Sequence, residues 1–309
     1  MTVLVTGGLG YIGSRLIREI PDHPAFSGEE IRIMDNFRQP RFHALWDLPS
    51  YADYDFVEGD IRNAEDRAAA LDGVDTVFHL AAITNAPETF DIPEKTWEVN
   101  HEAAVDLFED AREAGVDEFV NAVTCSVYGT TEEKIEEGFD CEPESPYGEA
   151  KLAAEQEMFD LYDGEMGLTG LRLGTVYGWT TGMRFDTVVD KFALLAAMGE
   201  PLTVYEGAED QKRPYLHVQD SVRSMLFAAE NLGDGEAYNV VGQNGRLQDV
   251  VDAIENHFPN VEIGYTEAEQ LNQLSYIVSD EKIRSEGFET AYTLDQGVEE
   301  LSDKFRAFV

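Results

Sequence analysis

Positive charge is scarce in this sequence: 22 lysines and arginines stand against 62 aspartates and glutamates, leaving a net charge of −40. Such a chain repels polyanions and carries no basic stripe, so no nucleic acid is expected as a partner. Cysteine is nearly absent as well. Cys125 and Cys141 are the two in the chain, too few for a disulfide framework and without the paired spacing of a zinc site, so reduced thiols and no metal are expected. No apolar run approaches the ~20 residues that cross a bilayer, and the opening MTVLVTGG lacks a basic flank. The expectation is a cytoplasmic protein that does not engage membranes.

What is present is the composition of a folded protein. The 309 residues are 43% hydrophobic, spread along the chain without repeats or low-complexity tracts, enough for a sizeable core. The acids are dispersed through periodic segments such as EDAREAGVDEF, which reads them as solvated faces and not as a tail. A surface of this kind repels itself in dilute buffer. Screening lengths fall from ~10 Å at 0.1 M salt to ~3 Å at 1 M, so molar salt should relieve the repulsion. The surface composition resembles that of haloarchaeal proteins, and a halophilic source is expected.

The first segment, TVLVTGGLGYIGSRLIREI, runs from a β-branched stretch through a glycine turn into an amphipathic helix with Ile12, Leu16, Ile17 and Ile20 on one side. Gly7, Gly10 and Gly13 form GxxGxxG, a spacing that permits a tight turn and close approach of backbone to a pyrophosphate. A second strand, IRIMD, ends in Asp35, where a dinucleotide fold needs a carboxylate for ribose hydroxyls. Strands at FVEGD, VDTVFHL, EFVNAV and LTGLRL alternate with helical patterns such as HEAAVDLFEDAREAG. This predicts an α/β fold: a doubly wound (Rossmann) parallel sheet, with ligands at the carboxyl ends of its strands. The expected division is a dinucleotide-binding domain over residues 1–178 and a smaller substrate-binding region over 179–309, with a segment near 215–245 returning to the main domain.

The motifs TGGLGYIG at 6–13, DN at 35–36, GDI at 59–61, HLAA at 79–82, VTCSVYG at 123–129, YGEAK at 147–151, LRLGTVYG at 171–178 and RPYLHVQD at 213–220 resemble the extended short-chain dehydrogenase/reductase family. Its nucleotide-sugar epimerases and dehydratases are the nearest in pattern, and the likeness covers nearly the whole chain. The resemblance implies an NAD cofactor, held by Gly7, Gly10, Tyr11, Ile12 and Gly13 at the turn and by Asp35 and Asn36 at the adenosine ribose. Asp60 and Ile61 would flank the adenine, and Leu80, Ala81 and Ala82 would lie beside the nicotinamide half. Asn100 looks like the family's structural asparagine near the active site and is counted with the cofactor-binding residues, with a helix cap an equal reading. Asp35 would repel a 2′-phosphate and so favour NAD over NADP, although Arg38 could soften that preference.

The resemblance makes Thr124, Tyr147 and Lys151 the catalytic set, with Tyr147 and Lys151 also among the cofactor-binding residues. A free tyrosine has a pKa near 10, too high for a base at neutral pH. If residues 147–162 are helical, spacing of four puts the Lys151 ammonium on the same face as the phenol, where it would favour the phenolate. Thr124 would hydrogen-bond the reacting sugar oxygen, with Ser126 a secondary contact brought to the same side by strand alternation. Tyr128 and Tyr177 read as packing residues, and His217 is given no chemistry.

Arg213 is expected to grip the diphosphate of a nucleotide sugar, with Arg184, Thr84 and Thr175 as further substrate contacts. Thr175 replaces the family's usual asparagine, and Pro214 stands where aspartate is usual. Cys125 and Ser126 occupy the positions where the family's 4,6-dehydratases carry an Asp-Glu pair, so dehydration is disfavoured. What remains is NAD-dependent epimerisation by transient oxidation at C4. The alternatives are a net sugar dehydrogenase/reductase with the same residues and a scaffold that has lost catalysis, against which the intact set speaks. The resemblance also suggests a homodimer through helices at 101–114 and 148–162; Ala103, Ala104, Leu107 and Phe108 give the first an apolar stripe that the core could claim equally.

Overall fold

Strands as continuously apolar as Val3–Val5 need cover on both faces, and a parallel sheet flanked by helices provides it. A computed structural model describes residues 1–267 and 275–306. Its main sheet has strands β1 (Thr2–Thr6), β2 (Glu30–Asp35), β3 (Asp53–Glu58), β4 (Thr76–His79), β5 (Glu118–Thr124), β6 (Gly167–Leu173) and β7 (Asp234–Val240). They are all parallel, in the order β7-β6-β5-β4-β1-β2-β3. Thr6 pairs with Met34 of β2 on one side and His79 of β4 on the other. The chain reverses its direction of winding between β1 and β4, which opens a crevice at their carboxyl ends. The doubly wound sheet expected from the alternation is therefore the one that forms.

Helices cover both faces. Leu16 and Ile17 of α1 (Gly13–Glu19) pack with Val222 and Met225 of a later helix against Val3, Val5 and Ile33. On the other face α2 (Ala103–Ala114) and α3 (Pro146–Leu161) bury Leu107, Phe108, Ala154 and Met158 against Leu4, Val77 and Phe119. Between the two readings left open for Ala103, Ala104, Leu107 and Phe108, a dimer face or the core, the structure takes the core. All four are at most 3% exposed in the chain by itself, because the sheet needs an apolar cover and takes the helix's one apolar stripe.

Beyond Gly178 the chain builds a smaller layer. Lys212–His217 pairs parallel with Thr175–Tyr177 and antiparallel with Gln243–Arg246. Helix α4 (Val188–Ala197) and the helices Leu247–His257 and Leu294–Phe305 enclose a core of their own with Phe192, Ile254 and Leu301. Between these pieces, α5 (Val218–Asn231) and β7 rejoin the main body, β7 pairing with β6 at the sheet edge. Among the described residues no helix is long and apolar enough to cross a membrane.

Candidate active site

The crevice at the sheet's carboxyl edge encloses about 1370 Å³, beyond the ~300–1,000 Å³ of pockets that hold one small ligand. Two ligands end to end can be accommodated. The glycine turn lies at its floor. Gly7 has φ +67°, and a Cβ there would stand 2.7 Å from the Ala81 nitrogen; one on Gly13 would stand 2.4 Å from the Gly7 oxygen. Only bare backbone allows the turn to seat against the loop after β4, which leaves a side-chain-free cradle of the kind a pyrophosphate needs.

Carboxylates order the loops around it. Asp35 accepts from Leu9 N–H at 3.1 Å and Phe37 N–H at 2.9 Å, and burial pushes its carboxyl above the ordinary range. Asp60 accepts from Arg62 at 2.9 Å on both oxygens and from Asn36 Nδ2 at 2.8 Å. Arg62 is the main reason its carboxyl is held far below the usual range. Arg62 also pairs with Glu98 at 3.1 Å. Together these residues frame the end of the crevice with Ile61, while Leu80, Ala81, Ala82 and Thr84 form the wall next to it.

Asn100 has the structural place near the site that the resemblance implies, without being a cofactor contact. It lies outside the crevice lining, buried in a π-helical turn over Glu98–Glu102. Its Oδ1 accepts from Ile83 N–H at 2.7 Å and its Nδ2 donates to Ile83 carbonyl at 2.8 Å. It is neither a helix cap nor a wall of the cofactor site. The amide copies a backbone pairing and so fixes the 80–84 loop, whose neighbours do line the crevice.

At the centre stand Thr124, Tyr147 and Lys151. Ser145 caps α3 by accepting from Gly148 N–H at 3.2 Å, which sets Tyr147 in the first turn and Lys151 one turn on. Thr124 ends β5, and a 3-10 turn follows over Cys125–Tyr128. Thr124 and Ser126 do meet, at 3.2 Å between hydroxyl oxygens, with Ser126 N–H donating to Thr124 Oγ1 at 3.1 Å. The turn brings them together, and strand alternation, which stops at Thr124, does not.

Burial raises the Tyr147 phenol; the Arg184 guanidinium and a hydrogen bond with Thr124 oppose that rise. Lys151 is held from the strand side. Its side chain is 3% exposed and Nζ donates to the Ala122 carbonyl of β5 at 2.9 Å; burial pulls its pKa down to about 8. Spacing of four does put the two residues on one face, but it says nothing of a β5 carbonyl waiting for the ammonium. A cation that acts on the phenol is Arg184, which also donates to Thr84 Oγ1 at 2.9 Å and lies over the Tyr11 ring at 5.4 Å.

The smaller layer supplies the far wall: Thr175, Arg213, Tyr215 and Tyr276. Tyr276 is buried and hydrogen-bonded to Ser126. Sequence reasoning missed it, together with Arg41 and Arg62. Arg62 had a signal, two residues beyond Asp60; Tyr276 had none, being 150 positions from its partner Ser126. Of the residues expected to pack, Tyr128 and Tyr177 are both 2% exposed, and His217 stacks on Tyr292 at 4.3 Å. Cys125 is buried, its thiol pushed up by burial, and donates to the Arg172 carbonyl at 3.1 Å.

Comparison with known proteins agrees with this geometry. Residues 3–241 match the NAD dependent epimerase/dehydratase family. An uncharacterized UDP-glucose epimerase of Bacillus subtilis is 30% identical over 81% of this chain and 82% of its own. A trifunctional UDP-glucose 4,6-dehydratase/UDP-4-keto-6-deoxy-D-glucose 3,5-epimerase/UDP-4-keto-L-rhamnose-reductase of Arabidopsis thaliana is 26% identical over 97% of this chain, which spans 46% of that protein's length. Among solved structures, the UDP-glucose 4-epimerase of Thermus thermophilus in complex with NAD superposes with a TM-score of 0.84, at 27% identity and with both chains fully covered.

Proposed function

The chain belongs to the NAD dependent epimerase/dehydratase family, and from that premise we propose that it is an epimerase of a nucleotide-diphosphate sugar, acting by transient oxidation at C4. The observation that carries this reading is the Tyr147 phenol, bonded to Thr124 and within the field of Arg184, at the centre of a crevice with room for two ligands. The glycine turn, Asp35 and Asp60 would hold NAD, which when bound supplies a reversible hydride acceptor. Tyr147, once ionised in the field of Arg184 and of the positive ring that bound NAD would add, takes the proton of the sugar hydroxyl and gives it back, and Thr124 orients the oxygen as charge develops on it. Lys151 fixes the helix end to β5 and keeps positive charge behind the phenol. Arg213 and Arg184 are placed to meet the diphosphate.

Two features narrow the reading. No carboxylate follows Thr124, so the acid and base that expel water in a dehydratase are missing from that position; the buried Cys125 thiol stands there instead. Arg38, which could have welcomed a 2′-phosphate next to Asp35, is ion-paired with Glu88, which favours NAD over NADP. A homodimer stays part of the proposal, through faces of α2 and α3 other than the buried stripe, and light scattering at molar salt reads it directly. The reaction is tested by following NADH absorbance with UDP-glucose as probe. Interconversion of two sugar nucleotides without NADH accumulation is expected; stoichiometric NADH would make the protein a dehydrogenase.

A further inference from the structure

Tyr11 belongs to the glycine turn, yet its hydroxyl is buried among partners from the smaller layer. It stands 2.6 Å from the Gly178 carbonyl and 2.7 Å from Asp190 Oδ2. Ser14, one turn on, is 2.7 Å from the Thr180 hydroxyl and accepts from Gly182 N–H at 2.9 Å. Gly182 rests directly on the turn: a Cβ there would stand 2.3 Å from the Gly10 oxygen. The segment 178–190 is thereby fastened over the backbone that would seat a cofactor pyrophosphate.

Proton counting gives this contact its character. A tyrosyl hydroxyl has one proton, and here it faces two oxygens within 2.7 Å. A carbonyl can only accept, so the Gly178 contact uses the tyrosyl proton. The Asp190 contact then needs a proton from the carboxyl. Asp190 Oδ1 accepts from Gly178 N–H at 3.0 Å and Oδ2 lies 3.2 Å from the Thr187 hydroxyl, which leaves room for one carboxyl proton on Oδ2 toward Tyr11. The other ionisable groups facing this carboxyl or its tyrosine are Arg184, Tyr177 and Glu300. Arg184 and the hydrogen bonds around the carboxyl favour ionisation, but burial outweighs them and lifts Asp190 to about 7, while Glu300 acts on Tyr11 and Tyr177.

We propose that Asp190 is a positioning residue for the cofactor: in its neutral form it donates to the Tyr11 hydroxyl, which donates to Gly178, and this relay latches the glycine turn beneath the segment that covers it. Ionised Asp190 has no proton to give, so the tyrosyl hydroxyl must choose between two acceptors and the latch loosens. The inference rests on the reading of the crevice as an NAD site and adds to it a mechanism of retention that responds to pH.

The test is the release rate of bound NADH, followed by its fluorescence during a chase with excess NAD, from pH 6 to pH 8.5. Loss of one buried hydrogen bond predicts release about tenfold faster at the upper end for the wild type. Tyr11→Phe should release fast at both ends. Asp190→Asn carries a permanent N–H donor and should release slowly at both ends, a rescue that a purely structural role would not produce. Melting temperatures of the variants, taken at each pH, separate loosening of the latch from unfolding. A pH-independent wild-type rate, or Asp190→Asn behaving like Tyr11→Phe at unchanged melting temperature, overturns the latch. Failure of the wild type to bind NADH at any pH would instead overturn the reading of the site.

Discussion

Lys151 gives its ammonium to the carbonyl of Ala122, 2.9 Å away on β5, so the helix that carries the phenol is tied to the strand that carries Thr124. The contact is buried, and burial holds the lysine near pKa 8. Below that value the ammonium is present; above it the tie becomes a neutral amine.

Turnover should therefore fall as pH rises above about 8. Stability moves the other way. The unfolded lysine titrates near ~10.4 and binds more protons than the folded one between the two values, so stability rises over that interval. Urea denaturation of the cofactor-free protein at pH 7.5 and pH 10, beside Lys151→Met, checks the sign: the rise belonging to this group should vanish in the variant.

Replacing Tyr147 by Phe removes the proton acceptor and donor while leaving the ring in place. Turnover should drop by roughly 10²–10⁴-fold, with NAD still bound. Single-turnover assays together with cofactor content after gel filtration read both quantities. Retained turnover would remove the phenol from the mechanism.

Behind the active site, Arg172 forms a buried ion pair with Glu155, one turn beyond Lys151, and donates to Tyr128 Oη at 2.7 Å. Glu155 is 1% exposed. Arg172→Met would strand that charge and should destabilise by about 3–5 kcal/mol, whereas Glu155→Gln combined with Arg172→Met should cost less than Arg172→Met alone. Denaturant midpoints of the single and double variants decide it, and a double variant worse than the single would contradict the argument.

Charge of −40 on one chain sets a further expectation. Helical content by circular dichroism and activity should both climb from dilute buffer to molar KCl as repulsion is screened within ~3 Å. A fully folded, fully active protein at low ionic strength would speak against adaptation to salt.

Much of this molecule was written locally. The β-branched run before GxxGxxG, the acid at the end of IRIMD and the YxxxK spacing each depend on near neighbours in the chain, and the residues they single out meet in the crevice. Glycine at 7 and 13 is demanded by contacts of under 3 Å, and that demand leaves its mark on the sequence as spacing. The apolar stripe of α2 was legible as a stripe, but what it faces was open.

Tertiary structure alone decided the partners. Lys151 meets a β5 carbonyl, Arg184 reaches the field of Tyr147, and Tyr11 finds Asp190 across 179 positions. A pattern in the chain reports which face or turn a residue occupies, because those follow from the backbone period. Which charge or carbonyl stands opposite depends on how separate elements pack, and it is this that sets how readily each acid and base gives up its proton.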